Sequence, residues 1–479
     1  MTHEYESDNN PRRESDGHAR ESDSRVHESD SRVHESDSHA HESDSHAHES
    51  HHGGCEAAPR IAVIGGQVAA LKKARAAGFD VVWLHGPHEL DPAGLALVAE
   101  AHLTDYRDPA AVADLLAAVH RHRPLTRVVS IIEDGLESAA AATTALGLPG
   151  TGLDTVRLLQ DKLAFRALLA ERGIEGVAAR LGHDEADIRA FVDAYGAAVI
   201  KPRYGSGSLG VRLVPGPEAV AEVASWAAEF GLHTFVMEQY LRGPEFSVEA
   251  FSFAGEHVVV AYTAKEKLDS FVEVGHVQPA GLDAADTARV DSLVGRMLDA
   301  VGVTDGPSHT EVILTAEGPR LVESHNRRGG DRITDLAHEV YGTDIDALGF
   351  LWYAGRTEPR TPGPARGGGA IRFLTAEPGV VESVTGAEEV RADPRVVSLQ
   401  LSVAPGDTVD PIAWSYDRSG LLIVRGDSAD QARDAARELA ARITIRTRPG
   451  TAPGTPRPIT AVAPRPERLI GATPPAAHS

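Results

Sequence analysis

Three stretches of the chain carry residue types and spacings that could do chemistry. The first is Val199 to Val211, VIKPRYGSGSLGV, where an apolar strand delivers Lys201 just before a loop with glycines at 205, 207 and 210. Glycine lets backbone N–H groups approach phosphate oxygens closely, and lysine adds a point charge, so the pattern suits phosphate binding. It is not a Walker A sequence, because no Gly-Lys-Ser/Thr closes it, nor a dinucleotide fingerprint opening a helix. A plain hairpin would carry the same glycines. The second stretch, FVMEQYLRGPEFSVEAFSF from Phe235 to Phe253, is two strands around a short break flanked by Glu238 and Glu245. Acids at such a crossover accept hydrogen bonds from an amino group or sugar hydroxyls, and a solvated turn has the same composition. The third runs from His309 to Asp331, HTEVILTAEGPRLVESHNRRGGD, two strands joined by the turn TAEG. Its Glu311 and Glu323 are spaced evenly enough to share one face of the paired strands. Two converging carboxylates repel each other unless a cation sits between them, and hard oxygen ligands suit Mg²⁺ held together with substrate phosphates. Arg327 and Arg328 follow at once and can stabilise charge on a transferring phosphoryl group. Two exposed glutamates on a solvated hairpin would leave the adjoining HNRRGG without a reason.

The elements that must position these residues are legible as periodic runs. RIAVIGG from Arg60, DVVWL from Asp80 and RVVSII from Arg127 read as short buried strands, separated by Ala- and Leu-rich helical stretches such as Ala110 to His120. Strands alternating with helices predict a parallel sheet with helices on both faces. After Pro149 comes a helix carrying DKLAFRALLAERG, then strands and hairpins to about Gly318, with an Ala-rich helix at Pro217 to Phe230. That mixture predicts α+β layers. A Gly-, Pro- and Arg-rich stretch from Gly355 to Gly369 reads as a linker, and a last unit from Ala370 to Arg446 has strands near IRFL and LLIV and a helix in DQARDAARELAARI. The expected units are therefore 1–59, 60–150, 151–354, 355–446 and a Pro-rich tail, 447–479.

Composition narrows the function. Among 479 residues, Asp and Glu number 70 against 47 Lys and Arg, for a formal charge of -23. A field of that sign repels polyphosphate, which argues against nucleic acid and anionic membranes as partners and leaves open a small anion in a local basic pocket. No apolar run approaches the roughly 20 residues of a membrane helix, and the N-terminus is too polar for a signal peptide. Cys55 is the single cysteine, so neither a disulfide framework nor a thiolate zinc site forms within one chain, and a reducing cytoplasm is the expected setting. Before Arg60 a seven-residue unit repeats as ESDGHAR, ESDSRVH, ESDSRVH, ESDSHAH and ESDSHAH. Each unit supplies one small apolar residue, too few for a coiled-coil seam, so disorder is expected.

In their order, these motifs resemble the ATP-grasp family of carboxylate-amine ligases, over most of Arg60 to Arg446 and most closely from Asp161 to Asp331. The resemblance implies an α/β and α+β architecture: an N-terminal parallel-sheet domain, a central two-lobed ATP-binding domain and a C-terminal subdomain. It implies ATP and Mg²⁺, or Mn²⁺, as cofactors. Lys162 in QDKLAFR and Lys201 in VIKP match the lysines that hold the phosphates, and Gly205 to Gly210, with Ser206, Gly207 and Ser208, matches the lid. Met237 to Leu241 is similar to the adenine-binding crossover, with Glu238 near the exocyclic amine, the Tyr240 and Leu241 backbone near the ring, and Glu245 on the ribose. Glu311 and Glu323 match the metal carboxylates. The family ending E-x-N-x-R here reads Glu323, Ser324, His325, Asn326, Arg327. His325 therefore stands where the asparagine ligand belongs, and either it replaces that ligand or a bulge lets Asn326 reach the metal. Arg327 keeps the spacing of the catalytic arginine, with Arg328 as the alternative. The segment FVEVGHVQPA resembles the substrate region of bacterial L-amino acid ligases, which implies substrate roles for Glu273 and His276, the latter also the candidate base. GGGAIRFLTAEPGVV resembles their closing subdomain and implies that Arg372 meets a substrate carboxylate. The implied partners are a small carboxylate, an amine and a second copy of the chain in a homodimer. Two other readings stand beside this one: a carboxylase or purine-pathway ligase on the same fold, and a non-catalytic nucleotide- or metal-binding protein acting through the His-rich repeat.

Overall fold

The computed structural model describes residues 58–86, 91–174 and 177–449. The heptapeptide repeat, expected to be disordered, and the Pro-rich tail beyond residue 449, expected to be extended or disordered, lie outside the described residues. Strands Arg60–Ile64, Asp80–His85, Glu100–Leu103 and Arg127–Ser130 form a parallel sheet in the order Glu100–Leu103, Asp80–His85, Arg60–Ile64, Arg127–Ser130. Arg60–Ile64 is buried along its whole length because helices cover both faces, which is why its residues 61–64, IAVI, are continuously apolar rather than alternating.

A small antiparallel sheet follows, with strands ordered Ala179–Gly182, Phe235–Gln239, Ala198–Lys201 and Arg212–Val214. Helices Glu185–Tyr195 and Val220–Glu229 pack on one face through Ile188, Phe191, Val192, Val220 and Val223. Alternation along the strands then sends Lys201 and Glu238 to the other face.

The largest layer is an eight-stranded antiparallel sheet in the order Gly318–His325, Gly306–Thr315, Glu245–Phe253, Glu256–Lys267, Glu273–Gln278, Gly368–Leu374, Gly420–Gly426 and Val396–Leu401. Its last three strands come from the C-terminal part of the chain, so one hydrogen-bonded sheet runs through both halves. The backing helix Ala284–Val301 buries Val290, Leu293, Val294, Met297, Leu298 and Val301, a stripe at helical spacing worth about 1.5–3 kcal/mol per large side chain. Asp283 caps its start, and Gly302, in the left-handed region at φ 78°, ends it. Strand Glu245–Phe253 is buried at every position, yet it reads EFSVEAFSF. Val248 and Ala250 join the core under that helix, whereas Glu245, Ser247 and Glu249 alternate onto the opposite face. A buried strand with one polar face marks the wall of a site. A further small sheet, Thr408–Val409, Gly379–Thr385 and Thr444–Arg448, closes the described chain, with its last strand running two residues past the expected end of that unit.

Candidate functional site

The polar faces of the two antiparallel sheets look at each other. On the large sheet, Glu311 and Glu323 are direct cross-strand partners and share a face with His309 and His325, also partners of each other. The turn between these strands has two residues, and simple continuation of its register would pair Glu311 with Val322 and put Glu323 on the other side. A bulge at Val322 shifts the register between Glu311 and Val312 and brings the two acids opposite each other. Even spacing predicted the shared face for an insufficient reason; the bulge supplies the cause. Arg166, on helix Lys162–Glu171, donates to the carbonyls of Leu321, at 2.8 Å, and Val322, and so holds the bulge from behind.

Lys162 is four residues, one helical turn, before Arg166. Its Nζ stands 3.8 Å from Glu323 Oε2 and donates to the Gly205 carbonyl at 2.5 Å. Burial lowers the Lys162 pKa and Lys201 adds to that effect, against the pull of Glu323. Burial opposes ionisation of Glu311 and Glu323 too, but Lys265 and His309 on the first, and Lys162, His325 and Lys201 on the second, hold both well below the usual carboxylate range. The positions 162, 201, 311 and 323 thus converge on one space. Among the described residues no group of three or more His, Cys, Asp or Glu side chains forms a ready cage for a metal. Two opposed, ionised carboxylates fit a cation whose remaining ligands are phosphate and water, as Mg²⁺ prefers. His325 is 5% exposed, on the carboxylate face, with Nε2 3.3 Å from Glu323 Oε1, whereas Asn326 lies beyond the end of the strand.

The glycine-rich loop 205–210 is held from three directions. Besides the Lys162 contact at Gly205, Ser208 Oγ donates to the Phe271 carbonyl at 3.3 Å, and the Ser415 N–H donates to the Gly207 carbonyl at 3.3 Å. Ser208 itself is left-handed at φ 61°, a strained choice for a non-glycine. Ser206 is exposed at the tip.

Glu238, expected beside the adenine amine, is buried, with Arg166 on both oxygens at 2.9 and 3.1 Å and Lys201 Nζ at 2.8 Å. Burial would raise its pKa, and the two cations more than offset this, bringing it to about 2. Strand alternation turns the side chain onto Lys201, so three donors occupy a carboxylate with roughly four lone-pair sites. Tyr240 and Leu241 follow as half-buried, irregular backbone, with the Tyr240 N–H given to Ala197 O at 3.3 Å.

Glu245, the expected ribose acid, lies at the start of the polar strand face, where Lys265 Nζ reaches Oε1 at 2.9 Å and Lys267 reaches Oε2. Lys265 also contacts Glu273 Oε1 at 3.0 Å and Glu311. Burial disfavours its charge, but Glu311, Glu245 and Glu273 together raise its pKa well above the ordinary lysine value. Sequence reasoning missed this hub, although Thr263, Lys265 and Lys267 are the polar alternate positions of strand Glu256–Lys267.

His276 is 1% exposed, with Nε2 3.3 Å from Asp331 Oδ2 and its ring edge-on to Phe373. Asp331 in turn receives both terminal nitrogens of Arg418, Nη1 at 2.8 Å, and the Arg418 guanidinium lies 3.5 Å over the Phe373 ring. Burial opposes the Asp331 charge, and Arg418 with His276 holds it ionised. Arg418 Nη1 also donates to the Glu273 carbonyl at 3.3 Å, and Ser415 Oγ to Glu273 Oε2 at 3.2 Å. Glu273 and His276 therefore adjoin the Lys265 hub through residues of the C-terminal strands and turns.

Arg327 is tied to Glu133, which follows the C-terminal end of parallel strand Arg127–Ser130 and also faces His325 Nδ1 at 3.4 Å. Burial disfavours the Glu133 charge, yet His325 and Arg327 hold it far below the usual range. A carboxylate just past the end of a parallel strand was the available signal for Glu133, since open α/β sheets bind ligands at that edge. Arg328 turns instead toward Thr334 Oγ1, at 3.3 Å, and Asp346. Arg372 was expected to meet a substrate carboxylate. Ile371 pairs with His276 across the sheet, so Arg372, one residue on, faces the opposite side, where Glu266 binds it at 3.1 Å. It does not join the others.

Three family models match the chain: the ATP-grasp N-terminal domain over residues 71–150, the ATP-grasp domain over 196–335 and the L-amino acid ligase C-terminal domain 2 over 372–448. Carnosine synthase 1 of Homo sapiens is 27% identical over 344 residues, 64% of this chain and 42% of that protein. The L-arginine-specific L-amino acid ligase of Bacillus subtilis is 22% identical over 318 residues, 64% of this chain and 76% of that protein. The chain thus spans less than half of carnosine synthase. Among solved structures, the L-amino acid ligase from Bacillus licheniformis superposes with a TM-score of 0.68 at 21% identity, covering 81% of this chain and 99% of that one. With these domain models matched in order along it, the chain belongs to the ATP-grasp family and carries an L-amino acid ligase C-terminal domain.

Proposed function

We propose that this protein is an ATP-dependent carboxylate-amine ligase that joins amino acids through an acyl phosphate. The observation that carries the reading is the pair of opposed carboxylates, Glu311 and Glu323, bracketed by Lys162 and Lys265 and adjoining the His276–Asp331 wall built with the C-terminal strands. A carboxylate is a poor electrophile because its leaving group would be an oxide. Its oxygen attacks the γ-phosphorus of ATP, the bond from that phosphorus to the β-bridging oxygen breaks, and ADP leaves. The amine then attacks the acyl carbon, and phosphate departs.

In this reading Glu311 and Glu323, with His325 beside them, hold Mg²⁺, which supplies charge neutralisation at the phosphates when bound. Lys162, Lys201 and Arg327 spread positive charge around the transferring group, and Glu238 keeps Lys201 aimed. The loop 205–210, pinned at Gly205, Gly207 and Ser208, excludes water that would hydrolyse the acyl phosphate. Glu273 binds the substrate ammonium. His276, oriented by Asp331, takes the proton that the attacking amine loses.

The test is a screen of amino acid pairs for ADP and phosphate release, with the product identified by mass spectrometry. Loss of a metal carboxylate removes several kcal/mol of charge stabilisation, so Glu323→Ala lowers turnover by at least about 100-fold. Turnover retained in that variant, or ADP release with no amide product from any pair, contradicts the proposal.

A further inference from the structure

Glu249 sits in the buried strand Glu245–Phe253 with no exposed surface. A carboxylate so placed is costly unless its oxygens all find donors. Its oxygens are divided between two elements. His309 Nδ1 is 2.5 Å from Oε1, and the Gly329 N–H donates to Oε2 at 2.8 Å. The second ring nitrogen of His309 stands 3.5 Å from Glu311 Oε1. Strand geometry explains the chain of contacts: His309 is the direct cross-strand partner of Glu249, and Glu311 is two residues along on the same face. Residue 329 must be glycine for the approach to exist, because a Cβ there would stand 2.7 Å from Glu249 Oε1.

One buried carboxylate therefore connects the strand that carries Glu311 to the loop that carries Arg327 and Arg328. We propose that Glu249 and His309 are a positioning pair, holding the Glu311 carboxylate and the Arg327–Gly329 loop at one fixed spacing. The inference rests on the reading of Glu311 as a metal carboxylate. Neither residue meets the nucleotide; each acts through a neighbour, His309 through the Glu311 oxygen and Glu249 through the Gly329 backbone. Hydrogen-bond partners of metal ligands orient the ligand, and their loss weakens metal binding by about 10–100-fold.

The experiment needs no identified substrate. Free Mn²⁺ is titrated by electron paramagnetic resonance against the full chain with saturating ADP, alongside thermal unfolding. Glu249→Gln keeps the volume but sets an amide N–H₂ against one of its two donors, and His309→Gln removes the ring. Each is expected to weaken Mn²⁺ binding by about 10–100-fold. Thr310→Val is the control: Thr310 is equally buried on the same strand, faces the other way and bonds Ser324 at 2.8 Å. It is expected to shift the unfolding temperature and leave Mn²⁺ affinity within about twofold. Wild-type affinity in both test variants overturns the proposal whatever their unfolding temperatures, and so does an equal loss in Thr310→Val. If Glu249→Gln does not fold, His309→Gln decides alone. A wild-type chain that binds no Mn²⁺ with ADP overturns the metal reading itself, and that result is distinct from a pair that proves silent.

Discussion

Replacing Glu238 with glutamine tests whether that side chain holds Lys201 or serves a bound base. The carboxylate lies between Arg166 and Lys201 with three contacts of 2.8 to 3.1 Å, and it is 5% exposed. Its pKa is lowered from 4.5 to about 2, a difference worth about 3 kcal/mol to the folded state. Because the folded group ionises lower than the unfolded one, this stability is complete above about pH 4.5 and is lost as the pH falls through about 2. An independent magnitude agrees: removing one partner from a buried ion pair costs about 3–5 kcal/mol, since the cations left behind stay desolvated. Glutamine matches the volume, so no cavity term is added. Strands Ala198–Lys201 and Phe235–Gln239 are joined across this triad, and amide hydrogen exchange of the two peptides, measured at pH 7 without nucleotide, reads their local opening. At about 3 kcal/mol the exchange accelerates by roughly 100-fold in Glu238→Gln. Exchange within about threefold of the wild type would refute the triad, because an acid that acted only on adenine is idle when no nucleotide is present.

Other perturbations follow from the same contacts. Burial would lower the pKa of His309, but Glu249 and Glu311 raise it to about 9 from 6.5, so in the metal-free protein its contribution is full below about pH 6.5 and vanishes as the pH rises through about 9. Urea midpoints followed from pH 6.5 to 9.5 should fall across that window, and a flat profile contradicts the assignment. Arg418→Ala strips Asp331 of its guanidinium, and with Asp331 about a quarter exposed the cost should lie near the lower end of about 3–5 kcal/mol. Faster hydrogen exchange in residues 329–335 would report it, and wild-type protection there would count against the clamp. Arg372→Ala removes only a half-exposed pair with Glu266 and should change stability by about 1 kcal/mol or less. Its KM values for both substrates should match the wild type; a large rise in one would restore Arg372 to the site.

How much of the site was legible varies with the kind of residue. Lys162, Lys201, Glu311 and Glu323 stand in short runs whose neighbours already indicate a strand, loop or helix start, so their types and order point to a phosphate and a metal. Glu133, Arg166, Glu249, Lys265, Asp331 and Arg418 are single charges in otherwise ordinary elements. Arg166 looks like one exposed charge on an amphipathic helix, yet it is buried against Glu238 and the bulge carbonyls. Arg418 is 145 residues from Glu273 in the chain and touches its carbonyl. No local pattern announces a partner at that distance.

Glu238 and Arg372 were assigned by the motif around them, and in a strand the motif names the residue but its parity names the face. Parity is set by pairing with other strands: Ile371 against His276 turns Arg372 away, and the bulge at Val322 turns Glu323 inward. Local periodicity marked the strands at Arg60, Asp80 and Arg127 and the helix in DKLAFRALLAERG, though not strand Glu100–Leu103, while composition fixed the acidic charge and the order of motifs pointed to the family. The register between distant strands decided which carboxylates face one another, which lysine neutralises which acid, and which arginine is left outside, because a shift of one residue exchanges the faces of a sheet while leaving every local preference satisfied.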